Sequence, residues 1–244
     1  MALIERTFFS YYGGKFRDAK KNYPAPVHDT IVEPFAGAAG YSCRYPNRNV
    51  ILCEKNPIIA GLWQYLVKVS ALEILSLPDL LPGEIVDDLH VPQEAKWLVG
   101  FWLNRAADRP CRSPSKWMRE GLFPNCFWGA SVREHIAKQV PLIRHWRVYN
   151  VGFEDVPTPT LRATWFVDPP YRSKAGEHYP HGSKHVDYVA LASWCRSLKG
   201  QVIVCENDGA DWLPFRHLAR AESTLSKRGA RPRPGEAVWL SSSC

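Results

Sequence analysis

The chain has 244 residues, of which 45% are hydrophobic and 23% charged, with a net charge of +7. That length suits one α/β domain carrying an insertion, or two small domains. No apolar run approaches the roughly 18 residues of a membrane-spanning helix. The start, MALIERTFFSYYGGK, lacks the cationic-then-apolar pattern of a signal peptide, so a cytoplasmic protein is expected. Seven cysteines form no CxxC pair. Cys53 and Cys205 sit in apolar runs, as small core residues of a reducing compartment do. The positive charge is concentrated: residues 90–150 hold ten Lys/Arg against four Asp/Glu, and residues 216–234 hold six against one. Such patches suit a polyanion, and a solvated basic face is the equal alternative.

In chain order, SYYGGKF (residues 10–16) reads as a diglycine turn beside two tyrosines and a lysine. Four short apolar runs read as buried strands: Thr30–Glu33, Asn49–Glu54, Thr164–Asp168 and Gln201–Glu206. Each ends on an acid. Ile58–Val69 is a predicted helix after the second strand. Val186–Leu198 is another after the third, with Val189, Leu191, Ala192, Cys195 and Leu198 on its apolar stripe. This alternation predicts a parallel, Rossmann-like α/β sheet with helices on both faces. Ligands in such sheets bind beyond the carboxyl ends of the strands, here at Glu33, Glu54, Asp168 and Glu206.

Residues 78–148 interrupt the alternation. Leu77–Pro92 is a proline-rich connector. Glu94–Ala107 is a predicted helix with Trp97, Leu98, Phe101 and Trp102 on its apolar side. Arg109–Phe127 is basic and irregular, and Ser131–Trp146 is an amphipathic helix interrupted near Pro141. We therefore expect a catalytic α/β domain of residues 1–77 and 149–244, with residues 78–148 as an inserted lobe, mainly helical and irregular. Residues 223–240 read as a hairpin turning around RGARPRPG.

Three segments carry chemistry. In IVEPFAGAAGYS (residues 31–42) a strand runs into a glycine turn, where a backbone can approach a nucleotide closely. The spacing is neither GxGxxG nor GK[ST], and alone it is a tight turn. Glu54 ends the next strand, where an acid can accept ribose hydroxyls or simply precede a helix. FVDPPYRS (residues 166–173) ends a strand on an aspartate, two prolines and a tyrosine. Proline cannot donate to a sheet ladder, so the strand stops there.

The order YYGGK, EPFAG, acidic strand end, basic insert, DPPY resembles the DNA adenine-N6 methyltransferases of the Dam type. The likeness covers residues 8–72 and 150–206, about half of the chain. It implies a methyltransferase sheet with S-adenosyl-L-methionine at the strand ends. The cofactor residues it implies are Tyr11, Gly13, Gly14 and Lys15, then Glu33, Pro34, Phe35, Ala36 and Gly37. Glu54 would bind the ribose, Gly152 and Phe153 the adenine of the cofactor, and Asp168 would face the methyl donor. It implies as catalytic the motif Asp168, Pro169, Pro170 and Tyr171. Asp168 and the Pro169 carbonyl would accept the hydrogens of the target amine, and Tyr171 would stack on a flipped base. Two places depart from the family pattern. Ala39 stands where a glycine is usual, followed by Gly40, and Gly152 stands where a polar residue is frequent.

Double-stranded DNA is the implied partner of a monomer or weak dimer in a bacterial or phage-infected cell. In the insert, Arg109, Arg112, Ser113, Ser115, Lys116 and Arg119 are the candidates for phosphate and base contacts. Tyr179 would lie near the flipped base. Arg228, Arg231 and Arg233 would clamp the backbone or form a solvated hairpin tip. His178, His181 and His185 lie in a polar, glycine-containing stretch that reads as a loop, and no metal is expected. Transfer to cytosine N4 or RNA, and an inactive DNA-binding relative, are the alternatives.

Overall fold

The computed structural model describes residues 3–80, 83–105, 107–122, 125–173, 176–177, 181–219 and 235–241. Within them seven strands form one sheet: β1 (Thr30–Glu33), β2 (Asn49–Cys53), β3 (Arg147–Tyr149), β4 (Ala163–Val167), β5 (Gly200–Asn207), β6 (Arg216–Ala219) and β7 (Glu236–Leu240). Their order is β3-β2-β1-β4-β5-β7-β6. The first five are parallel, whereas β7 runs antiparallel to both β5 and β6. The parallel α/β expectation therefore holds for the body of a mixed sheet.

Side chains alternate between two apolar layers, as the two-residue period of a strand requires. Ile31, Val50, Leu52, Phe166, Ile203, Cys205 and Val238 face one layer. Val32, Ile51, Cys53, Trp165, Val167, Val202 and Val204 face the other. Both faces of the central strands are thus covered, which explains why their sequences are continuous apolar runs.

The helices are α1 (Phe16–Asn22), α2 (Pro57–Leu66), α3 (Ala71–Ser76), α4 (Gln93–Trp102), α5 (Lys116–Arg119), α6 (Ala130–Gln139) and α7 (Tyr188–Ser197). Local chemistry sets their starts. Asn56 caps α2 by accepting from the Ile58 N–H, with Pro57 at the first turn. Ser70 and Glu73 form a capping box on α3, and Asp187 accepts from two amides of α7. As expected, Leu191, Ala192 and Cys195 of α7 are buried, but Val189 is 79% exposed and lies off the stripe. Two residues after the cap, it faces solvent in the first turn.

Three other expectations shift. The helix expected to run to Ala107 ends at Trp102, where the chain turns back so that the Cys111 N–H bonds the Gly100 carbonyl. The helix expected over Ser131–Trp146 is α6, followed by a 3-10 turn at Val140–Ile143 that begins just before Pro141. In the expected hairpin, β7 pairs antiparallel with Arg216–Ala219, upstream of residue 223; residues 220–234, which hold the expected first arm and all of the RGARPRPG turn but Gly235, lie outside the described residues.

Within residues 78–148, α4 packs on α2 and α6 on α3. Leu98, Val99, Phe101, Val132 and Ile136 share one cluster with Phe8, Phe9 and Trp63. The Trp102 indole donates to the Phe8 carbonyl at 3.0 Å. Part of residues 78–148 thus braces the N-terminal stretch that leads into YYGGK.

Candidate active site

Strand order reverses between β1 and β4, the topological switch point at which open α/β sheets bind ligands. The two strands end there on Glu33-Pro34 and Asp168-Pro169. A cleft opens beyond them. Its walls come from Tyr11 to Lys15, Glu33 to Ala38, Gly40, Glu54 to Asn56, Gly152 to Glu154, Phe166, Asp168, Pro170, His181, His185 and Val186. The structure thus brings together Tyr11, Gly13, Gly14, Lys15, Glu33, Pro34, Phe35, Ala36, Gly37, Glu54, Gly152, Phe153 and Asp168 at one cleft.

The turn after β1 is shaped by backbone demands. Gly37 has φ +45° and Ala39 φ 47°. For alanine this left-handed conformation costs about 1–2 kcal/mol, a cost that a glycine would not carry. Gly40 serves packing instead. A Cβ there would meet the Phe16 nitrogen at 2.5 Å and the Lys15 backbone at 2.9 Å. Both neighbours are main chain and cannot swing aside, so Gly40→Ala should destabilise the protein by about 1–3 kcal/mol. Thermal melting checks this; an unchanged melting temperature would refute the close approach.

Glu54 and Trp63 hold the turn. Glu54 accepts the Gly37 N–H at 3.0 Å and the Asn56 N–H at 2.9 Å. Burial raises its pKa, and these amide bonds oppose the rise. The Trp63 indole donates to the Gly37 carbonyl at 2.8 Å. The Tyr11 ring packs against Gly37 and edge-on against Phe101 of α4. Phe35 and Phe153 stack with centroids 5.9 Å apart, making an apolar wall beside Gly152. Glu33 is 2% exposed and accepts the Ser42 N–H at 2.7 Å. Burial pushes its carboxyl from the ordinary 4.5 to about 8, so it is protonated at neutral pH.

At the β4 end, Asp168 lies 3.5 Å from the Lys15 ammonium. Burial lifts its pKa from 3.8 to about 6; Lys15 opposes the rise and Glu236 adds to it. Lys15 also lies 3.6 Å from Glu236 and 4.6 Å from the centre of the Tyr171 ring. The loop beyond is braced from β5. Glu206, 1% exposed, accepts the Arg172 N–H and the Trp212 indole, each at 3.0 Å. The Tyr188 hydroxyl donates to the Pro170 carbonyl at 2.5 Å. Pro169 is buried, and Tyr171 stands behind the cleft with its hydroxyl donating to Glu236 at 2.6 Å. These two DPPY residues therefore do not line the cleft wall, although Asp168 and Pro170 do.

Of the basic residues in 78–148, Arg109, Arg112, Lys116 and Arg119 are exposed, and several meet acids. Arg109 pairs with Asp108, Arg112 with Asp87 at 2.6 Å, and Lys116 with Glu120 at 3.6 Å. Arg119 donates to the Pro114 carbonyl, Ser113 is exposed, and Ser115 caps α5. Tyr179, Arg228, Arg231 and Arg233 lie outside the described residues. Among the described residues, no group of His, Cys, Asp and Glu is arranged to hold a metal ion, and no helix is long and apolar enough to cross a membrane.

Glu236 and Tyr23 belong to no motif and escape a reading of the sequence. Both phenols, of Tyr23 and Tyr171, donate to Glu236. The one signal was an acid heading the apolar run EAVWL. No protein-family model matches the chain, and no curated protein matches it.

Proposed function

We propose that the protein is an S-adenosylmethionine-dependent methyltransferase acting on the exocyclic N6 amine of adenine in DNA. What supports this most is the meeting, at one switch-point cleft, of the YYGGK turn, the EPFAG turn, Glu54 and the DPPY aspartate. The donor set fits the cofactor. Glu54 offers a carboxylate for ribose hydroxyls, the Phe35–Phe153 wall offers an apolar face for a purine, and the turn around Gly37 brings backbone close. When bound, the cofactor supplies a methyl group on a sulfonium, already on a good leaving group.

The chain's own task is then to hold and desolvate an amine. An aromatic amine has its lone pair delocalised into the ring and is a poor nucleophile. A carboxylate at Asp168 that accepts one amino hydrogen favours a tetrahedral nitrogen and offsets the positive charge that develops there. The rigid double proline fixes the strand end that carries the carboxylate. Asp168 also takes up the proton the amine releases, which its raised pKa suits. Titration calorimetry with S-adenosylmethionine tests the reading: an absence of binding, together with retained DNA binding, would replace it by an inactive DNA-binding relative.

The exposed cluster around α5 is the proposed DNA contact. Because Arg112 and Lys116 each already have an acidic neighbour, their share in phosphate binding is partial. Arg112→Ala and Lys116→Ala should each weaken DNA binding, and each should lower the slope of log affinity against log salt by at most about one. Fluorescence anisotropy at several salt concentrations measures this, and an unchanged slope in both variants would remove α5 from the interface.

A further inference from the structure

Glu236 heads β7, in register with Asn207 of β5 and Ala219 of β6. Its side chain is 14% exposed. One oxygen, Oε2, accepts the Tyr171 hydroxyl at 2.6 Å and the Tyr23 hydroxyl at 3.0 Å. The other, Oε1, faces the Lys15 ammonium at 3.6 Å, while the same ammonium stands 3.5 Å from Asp168 and over the Tyr171 ring. Lys15 therefore stands against both Asp168, on the cleft wall, and the Tyr171 ring behind it.

A buried ammonium with one carboxylate partner would hold that carboxylate as its own ion pair, and an incoming neutral amine would have to compete with it. A second carboxylate divides the attraction. The phenol bond to a charged acceptor is also short and strong, and it fixes the plane of the Tyr171 ring.

We infer that Glu236 is a positioning residue for methyl transfer: it shares the Lys15 ammonium with Asp168, so that this carboxylate can pass to the target amine, and it anchors Tyr171 behind the cleft through its phenol. This inference rests on the methyltransferase reading. As the amine enters, Lys15 moves fully onto Glu236, and no covalent bond of the protein changes.

The groups facing Asp168 are Lys15 ahead of α1, Tyr23 after α1, Glu33 on β1, Tyr171 on its own loop, Cys205 on β5 and Glu236 on β7. Glu33 is protonated at neutral pH, so Glu236 is the negative charge whose removal moves Asp168. Glu236→Gln keeps an oxygen for the phenols but presents an amide to Lys15. The ammonium then pairs with Asp168 alone, and the Asp168 pKa falls.

The test uses the full chain. In Glu236→Gln, the carbon-13 titration of the Asp168 carboxyl, identified by its loss in Asp168→Asn, should move to lower pH. The acid limb of kcat should move with it. At neutral pH, kcat should drop roughly tenfold or more, with the affinity for S-adenosylmethionine little changed. Glu236→Asp, which keeps the charge, should bring both titrations back near wild type. An Asp168 titration that does not move in Glu236→Gln overturns the inference. So does a kcat loss matched by lost folding with the acid limb in place. If Glu236→Gln does not fold, Glu236→Asp decides, and an acid limb moved as far as in a charge-free variant such as Glu236→Ala overturns the inference. Failure of the functional reading looks different: wild type then transfers no methyl group, whatever the Asp168 titration does.

Discussion

Asp168→Ala should lower methyl transfer to adenine by roughly 10³-fold while S-adenosylmethionine binding stays measurable. The separation follows from where the carboxylate sits. Asp168 is at the β4 end of the cleft, whereas Glu54, Gly37 and the Phe35–Phe153 pair form the other wall. Removing Asp168 does not strand Lys15, because Glu236 lies 3.6 Å from the same ammonium. The fold should therefore survive, and circular dichroism of the variant should match wild type. Asp168→Asn keeps the shape and one acceptor but loses the charge, and should fall between the two. The pH profile carries the same information. Asp168 must be ionised to accept the amine hydrogen, and its pKa is raised to about 6, so kcat should fall as pH drops through that value. Near-normal transfer by Asp168→Ala would end the proposed mechanism.

The parts of the fold written in continuous apolar runs were legible in the sequence. TIVE, NVILC, ATWFV and QVIVCE are central strands, and burial on both faces leaves little room for any other residue type. The edge strand β3 was not legible. Arg147–Tyr149 is three residues long and partly exposed, too short for alternation to register. The same contrast holds at the cleft. Residues whose role is local, such as the glycine turn and the strand-end acids, show themselves by spacing. Glu236 acts on Lys15 and Tyr171 across more than 60 residues of chain, through the antiparallel pairing of β7 with β5. A one-residue change in that register would turn Glu236 to the other face of the sheet, and no local pattern encodes it. Residues 78–148 gave a third outcome. Their apolar helix was readable, but its support of Tyr11 through Phe101 depends on helix packing that periodicity alone does not specify.

Glu33 gives the second large effect, and it concerns stability. Folded, its carboxyl titrates at about 8 rather than 4.5, chiefly because it is buried. A raised pKa means that the folded chain keeps a proton the unfolded chain has released. The stabilisation is whole below about pH 4.5 and is lost as pH climbs to 8, at roughly 1.4 kcal/mol per pH unit, a few kcal/mol in total. Asp168, raised to about 6, adds a loss of the same sign only up to that pH. His135 is held below its ordinary 6.5 by burial and acts in the opposite direction, gaining stability as pH rises toward that value. The interval from about 6.5 to 8 is therefore where Glu33 dominates among these three groups. Glu33→Gln keeps an oxygen for the Ser42 N–H and cannot ionise. Urea unfolding at closely spaced pH values should show wild type weakening across that interval more steeply than the variant. Equal slopes in the two proteins would mean that Glu33 is already ionised in the fold, with a compensating charge beside it. The burial that makes Glu33 expensive to ionise also places it on the wall of the cleft, so a cationic ligand bound there should relieve the cost and steepen its own affinity with rising pH.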